Sequence, residues 1–287
     1  MFGLISYPPI PIFELGPLKL SLHGLAAGLG FLAGAWLLLR IARRRGFDTE
    51  RLQSVLTWAL VGALIGAPLL TVPARLFDPG FGIRDLFSSM SILGGMTGGI
   101  VGGWIRMRML SMPFLPVIDM AAPGLALGTV IGRLGDLAIV EHLGRRTSFF
   151  LGYAVKPGYD LAPQHNALEC TTSQAVDGIC GIYHPTALYD LFGALVLLGV
   201  LLWLGKRWQT RHYGQLFAVW MAWYGFQRFF VDFTRAGGPN IDQMVGGVTW
   251  SQVTGFGAGL AGLTLLWVLW RRMPVVSAEQ DDVYTSV

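Results

Sequence analysis

The chain has 287 residues, 53% of them hydrophobic and only 13% charged, with 10 tryptophans and a mean hydropathy of +0.54. Soluble proteins carry about 25% charged residues, so this composition excludes a soluble globular domain and calls for a polytopic membrane protein. The formal charge of +4 implies no affinity for nucleic acid, because in a membrane chain the location of basic residues decides their meaning. Seven apolar segments follow at about 18–39, 54–74, 87–105, 115–139, 185–205, 214–231 and 249–270. Most reach the roughly 20 residues that a spanning helix needs, which predicts an all-α protein with seven transmembrane helices. The third and sixth are shorter and rich in glycine or polar groups, as in helices packed inside a bundle. Gly94, Gly95, Gly98, Gly99, Gly102 and Gly103 recur at helical spacing in the third, a pattern that lets backbones approach closely. No basic region precedes the first segment, so no cleaved signal peptide is predicted.

Positive charge sets the expected orientation. Arg40, Arg43, Arg44, Arg45 and Arg51 follow the first segment, and Arg106 and Arg108 follow the third. Lys206, Arg207 and Arg211 follow the fifth, and Arg271 and Arg272 close the last. These are 12 of the 21 basic residues, and the positive-inside rule assigns them to the cytoplasm. The N-terminus is then expected outside and the C-terminus inside. Lys19, Arg75, Arg84, Arg133, Arg145, Arg146, Lys156, Arg228 and Arg235 fall on the outer side or in its helix ends. Residues 142–183 form an extracytoplasmic head between the fourth and fifth helices. It holds both cysteines, Cys170 and Cys180, and an oxidising compartment favours a disulfide between them. Residues 273–287 are expected to be a disordered cytoplasmic tail. No internal repeat is evident, which speaks against a repeat-built transporter.

Three motifs carry candidate chemistry. Gly132-Arg133-Leu134-Gly135-Asp136, followed by Glu141 and His142, puts an arginine and two acids at the end of a spanning segment. A charge at membrane depth costs roughly 2.5–3.5 kcal/mol on insertion scales and is usually kept for a function. Asp136 lies three residues after Arg133, on the same helical face, where it can hold the guanidinium fork. In the second motif Arg228, Asp232 and Arg235 share one face at i, i+4 and i+7. Either motif alone fits a structural ion-pair network as well as a phosphate site. The third, His184-Pro185-Thr186-Ala187-Leu188-Tyr189-Asp190, also fits an ordinary helix start, with Pro185 in the first turn and His184 as a cap. No two of the five histidines have zinc-ligand spacing, and no nucleophile elbow, phosphate loop or dinucleotide fingerprint occurs. A metal-free anion site built from several helices remains, at the depth of lipid headgroups.

In their shared order these motifs resemble the phosphatidylglycerol–prolipoprotein diacylglyceryl transferases of bacteria. Gly132 to Asp136 is similar to the family's Gly-Arg-Leu-Gly-Asn signature, with Glu141 at its downstream glutamate. His184 to Asp190 is similar to its His-Pro-Ser/Thr-Gln-Leu-Tyr-Glu, and Arg228 to Arg235 to its Arg-x-x-x-Glu-x-x-Arg. Leu22-His23-Gly24-Leu25 resembles its first-helix segment, and Asp119 with Pro123 the start of its central helix. The resemblance implies one transmembrane catalytic domain over residues 1–272, multi-pass in the bacterial inner membrane. Its active site would lie near the extracytoplasmic face. It implies transfer of diacylglyceryl from phosphatidylglycerol to the lipobox cysteine of a preprolipoprotein signal peptide, releasing glycerol 1-phosphate. No metal, cofactor or nucleic-acid partner is implied, and a monomer is the expected working unit.

By that resemblance Arg133 and Arg228, with Asp136 and Glu141, are the expected catalytic residues. Arg235, Asp232, His184, Tyr189, Gly94, Gly95 and His23 are the expected substrate-binding set. The chain also departs from the pattern. Leu93 stands where the family's third-span histidine would be, His23 replaces a first-helix tyrosine, Asp136 replaces asparagine, and Asp190 and Asp232 replace glutamates. Pro68 stands loosely where an early arginine would be. The thiol's base could then be Glu141, His142, His184 or His23, or the arginine field could favour the thiolate without one. A lipid-binding homologue without chemistry and a small-anion transporter are the alternatives.

Overall fold

The computed structural model describes residues 5–10, 13–15, 18–69, 92–161, 163–207, 212–235, 244–245 and 248–272. The expected tail, Arg75, Arg84 and Arg211 lie outside these residues. Seven long helices occur among them: α1 (Leu22–Arg44), α2 (Thr49–Leu69), α3 (Ile92–Met109), α4 (Phe114–Ala138), α5 (Thr186–Arg207), α6 (Gln215–Arg235) and α7 (Trp250–Arg272). Five of them, α1, α2, α4, α5 and α7, are long and apolar enough to cross a membrane. The other two correspond to the shorter third and sixth segments. α3 spends much of its length on glycine and ends on Arg106 and Arg108, while α6 carries Arg228, Asp232, Arg235 and many aromatic rings.

The helix starts have identifiable causes. Asp48 accepts the Glu50 and Arg51 amides at 2.9 and 3.1 Å, which caps α2. Ser21 accepts the Gly24 amide at 3.0 Å and so fixes the first turn of α1. At α7 a reciprocal capping box forms, with Thr249 Oγ1 accepting the Gln252 amide at 3.1 Å and Gln252 Oε1 accepting the Thr249 amide at 2.9 Å.

The chain divides into two compact units, one of Met1–Leu37 and Ala121–Val275, the other chiefly of Leu38–Met120. In the second unit α2 and α3 meet backbone to backbone, because a Cβ on Gly62 would collide with the Gly98 carbonyl. Arg106 of α3 reaches back to α2, donating from Nε to Ser54 Oγ at 2.8 Å and lying over the Trp58 ring at 5.6 Å. In the first unit Ala122 and Ala126 of α4, Leu197, Leu201 and Leu204 of α5 and Leu216 of α6 form a buried cluster. Large apolar side chains elsewhere face outward, among them Leu32, Trp36, Phe192, Trp203 and Phe230. Water would oppose that exposure, whereas lipid matches it.

The all-α expectation holds for the long helices and is corrected for the connecting segments. The head carries β3 (Leu143–Arg146), β4 (Tyr153–Val155) and β5 (Gly181–Pro185) as a three-stranded antiparallel sheet with β5 in the centre. A 3₁₀ turn covers Pro163–Leu168. Residues 13–15 and 18–20 pair ahead of α1, and 244–245 and 248–249 pair ahead of α7. Val140, Leu143, Tyr153, Val155, Leu161 and Tyr183 make the head's small core. Ile5 bridges to Tyr153, the Tyr153 hydroxyl donates to the Tyr7 carbonyl, and Tyr7 donates to the Leu137 carbonyl at 2.5 Å. The expected Cys170–Cys180 disulfide is present.

Candidate active site

The first turns of α1, α5 and α7 and the last turns of α4 and α6 bring the charged residues together within the first unit. Arg133 of α4 donates from Nη1 to Asp136 Oδ2 at 2.7 Å, the i, i+3 pair expected on that face. Its Nη2 lies 3.1 Å from Asp190 Oδ2 on α5. Arg235, at the end of α6, also turns to α5: Nη2 is 3.5 Å from Asp190 Oδ2 and Nε donates to Thr186 Oγ1 at 3.0 Å. Asp190 is thus a buried carboxylate shared by arginines from two helices. Gln227 secures it, donating from Nε2 to its backbone carbonyl at 3.0 Å and lying 3.4 Å from Oδ1.

Arg228 sits about two turns before Arg235 on α6, with Nη2 3.6 Å from Asp232 Oδ1 and donating to Ser251 Oγ at 2.9 Å. Asp232 is buried and accepts a hydrogen bond from the Thr249 hydroxyl. The capping threonine of α7 therefore orients an acid of α6. Within the expected three-residue face of α6, Arg228 pairs with Asp232, whereas Arg235 pairs across to Asp190 on α5.

Gly135 explains why α1 reaches this site. A Cβ there would collide with the Ala26 side chain and lie 3.0 Å from the Leu22 carbonyl and 3.3 Å from His23 Cα. The close approach places His23 Nδ1 2.6 Å from Asp136 Oδ1. α4 then ends in a turn where Val140 (φ 55°) and His142 (φ 64°) are left-handed. Such a conformation costs about 1–3 kcal/mol for a non-glycine residue and is found where a site imposes it. Here it turns Glu141 back, so that Oε2 stands 3.4 Å from His23 Nδ1. His142 Nε2 lies 3.8 Å from Asp136 Oδ2. Burial and the Arg235 charge push the His142 imidazole down to about 3, so it is neutral at pH 7.

His23, Asp136 and Glu141 bring metal-ligand atoms within 4.8 Å of one another. The Arg133 guanidinium on Asp136 opposes a cation there and supplies that carboxylate's positive partner. The cluster instead presents fixed cations in a mostly buried setting, the arrangement that stabilises a phosphate oxyanion.

The sequence motif placed His184 as a cap and Pro185 in the first helical turn. Both lie in β5 instead, and α5 begins at Thr186. Thr186 donates to the His142 carbonyl at 2.5 Å, which fastens the strand-to-helix junction to the α4 turn. His184 Nδ1 is 2.9 Å from the Tyr189 hydroxyl. Gly94 and Gly95 lie in the second unit, where they pack on α2: the Gly94 carbonyl stands against Gly66, and Gly95 faces Ala63 and Ala67. Leu93 falls in the first turn of α3.

A family model described as prolipoprotein diacylglyceryl transferase matches residues 11–268. The chain belongs to this family. Among its relatives, a phosphatidylglycerol–prolipoprotein diacylglyceryl transferase of Nocardia farcinica is 30% identical over 242 residues, covering 82% of this chain and 48% of that protein. One from Pseudoalteromonas atlantica is 29% identical over 272 residues, covering 91% and 90%. One from Cutibacterium acnes is 30% identical over 238 residues, covering 80% and 76%. The chain thus spans about half the length of the Nocardia relative and nine-tenths of the Pseudoalteromonas relative. Within the family setting, Asp190, Thr186, Gln227, Ser251 and Thr249 are residues that sequence motifs did not single out as the site. Asp190 stood inside a quoted motif, and its acid type was the available signal. Thr186 stood in the same motif, while Gln227 in mid-helix and Thr249 and Ser251 at a helix start carry no signal without coordinates.

Proposed function

We propose that the chain transfers the diacylglyceryl group of phosphatidylglycerol to the cysteine thiol of a preprolipoprotein lipobox and releases glycerol 1-phosphate. The observation that carries this is the convergence of Arg133, Arg228 and Arg235 with Asp136, Asp190 and Asp232 at the ends of apolar helices, in a member of this family. The departing phosphate develops negative charge, and preorganised guanidinium donors stabilise it without reorganisation. The nucleophile comes from the peptide, so the enzyme needs no thiol of its own. Arg133 and Arg228 bind the phosphate together with Arg235, which shares Asp190 with Arg133, while Asp136, Asp190 and Asp232 hold the guanidinium forks.

The working arrangement is a monomer with seven spans in the bacterial inner membrane and the cluster near the outer face. Its support is the helix ends: the site uses the first turns of α1, α5 and α7. The opposite ends of those helices carry Arg43 and Arg44, Lys206 and Arg207, and Arg271. Positive residues at those ends mark the cytoplasmic side. His184 and Tyr189 complete the proposed substrate-binding set of the first unit; for Gly94 and Gly95, in the second unit, a substrate contact is proposed from the resemblance alone.

The test supplies phosphatidylglycerol and a lipobox peptide to the protein in a bilayer and follows the peptide by mass spectrometry. A diacylglyceryl mass gain with matching glycerol 1-phosphate is expected. Well-folded protein that yields neither, yet retains phosphatidylglycerol, would point to the lipid-binding alternative.

A further inference from the structure

The phosphate chemistry above leaves the acceptor thiol without a partner for its proton, and the first turn of α1 holds a group suited to that task. His23 Nδ1 lies 2.6 Å from Asp136 Oδ1. A carboxylate only accepts, so Nδ1 carries the proton and Nε2 of the neutral ring keeps its lone pair. Among the described residues no hydrogen-bond partner takes Nε2. The side chain is 37% exposed while that of Asp136 is 4% exposed, so a reachable ring is backed by a buried acid. The charged groups facing it are Asp136 and Glu141, with Arg133 and the neutral His142 beyond Asp136.

The other acceptors fit less well. His142 takes a proton only near pH 3, held down by burial and by Arg235. His184 is engaged at Nδ1 by the Tyr189 hydroxyl, and burial with the Arg145 charge lowers it. Glu141 offers a carboxylate, and carboxylates as a class (ordinary pKa ~4.3) are weaker bases than imidazoles (~6.5) against a thiol (~8.5).

The geometry points to His23 as the general base of the transfer, with Asp136 as the positioning residue that fixes its tautomer and also holds Arg133; this rests on the transferase function proposed above. Nε2 takes the proton from the acceptor thiol. The thiolate attacks the lipid's glyceryl carbon, so that a C–S bond forms while the C–O bond to phosphate breaks. The bonding pair leaves on the phosphate oxygen, and the imidazolium returns its proton to the departing glycerol phosphate. The histidine is then neutral again. One carboxylate links the proton acceptor to the phosphate-binding arginine, and Gly135 allows α1 close enough for that link.

The test uses the full chain in a bilayer with phosphatidylglycerol and a lipobox peptide. His23→Asn keeps a donor for Asp136 and removes the acceptor at Nε2. It should lower kcat/KM by about 10²-fold, the lower end of general-base effects, with KM little changed. The wild-type rate should fall on the acid side as the imidazole protonates. In His23→Asn that limb should vanish, leaving a rate that climbs with pH toward the thiol value of ~8.5. Added imidazole should restore part of the rate in His23→Ala, more strongly for more basic substituted imidazoles, which a structural side chain would not require. A His23→Asn variant with the wild-type rate and pH profile overturns the assignment. So does a folded His23→Ala variant that imidazole leaves unchanged. A wild type that makes no adduct overturns the transferase function itself, and this inference with it.

Discussion

The α2–α3 pair and the Arg133 cluster solve opposite problems in one apolar chain. α2 and α3 meet through glycines such as Gly62 and Gly98, where attraction comes from close backbone packing. In the cluster, every described acid carries a cation or a donor: Asp136 holds Arg133 and His23, Asp190 holds Arg133 and Arg235, and Asp232 holds Thr249 and lies near Arg228. Burying such charges is expensive and is seldom the best route to stability. Gly62 and Gly98 therefore serve the fold, while the proposed function accounts for the cost accepted in the cluster. This contrast can be tested because the two regions should fail differently.

The largest effect is expected at Arg133. Arg133→Ala should reduce transfer by about 10²–10³-fold, the scale of losing one oxyanion donor. Arg133→Lys should recover little, because an ammonium cannot span Asp136 and Asp190 with a planar fork. Adduct formation measured by mass spectrometry checks both. Gly98→Leu should show the reverse signature. Its side chain must displace the Gly62 backbone, so a loss of about 1–3 kcal/mol is expected from overpacking, seen as a lowered unfolding midpoint. A Gly98→Leu protein of unchanged stability would dissolve the comparison.

Replacing both Cys170 and Cys180 by serine should cost the head about 2–3 kcal/mol, the scale for a short closed loop. Limited proteolysis of the head, compared with the wild type, reads this out. The smallest effect is a pH dependence centred on His165. It is fully buried, its Nε2 accepts the Leu143 amide at 3.1 Å, and burial together with the Arg235 charge lowers it to about 4. The unfolded ring binds protons from about 6.5 downward. Its contribution to stability is therefore complete above that pH and is lost as pH falls toward 4. The protection factor of the Leu143 amide, corrected for the intrinsic exchange rate at each pH, should fall over that window and not above it.

Much of the site was legible in sequence. An i, i+3 Arg–Asp pair at the end of an apolar run carries its own cost and so announces itself, and Arg133 with Asp136 form the expected bond. Long-range partnerships were not legible. His23 and Asp136 are 113 residues apart, and nothing in either segment specifies that Gly135 lets α1 approach. The same holds for Arg235, whose spacing suggested Asp232 but whose fork lies beside Asp190. The short strands of the head, three to five residues each, are too brief for alternation to show. Segments three and six were expected as shorter spans packed inside the bundle; glycine, aromatics and charge leave their helices outside the five that are long and apolar enough to cross a membrane.

The most direct test of the central claim, that Arg133 and Arg235 act as one phosphate site through Asp190, is a double-mutant cycle on kcat/KM for transfer. Arg133→Lys, Arg235→Lys and the double variant are compared with the wild type in the same bilayer. Arginines that share one carboxylate and one phosphate should be coupled, and the double variant should lose much less than the product of the single losses. Losses that multiply cleanly, with all three variants folded, would contradict a shared site.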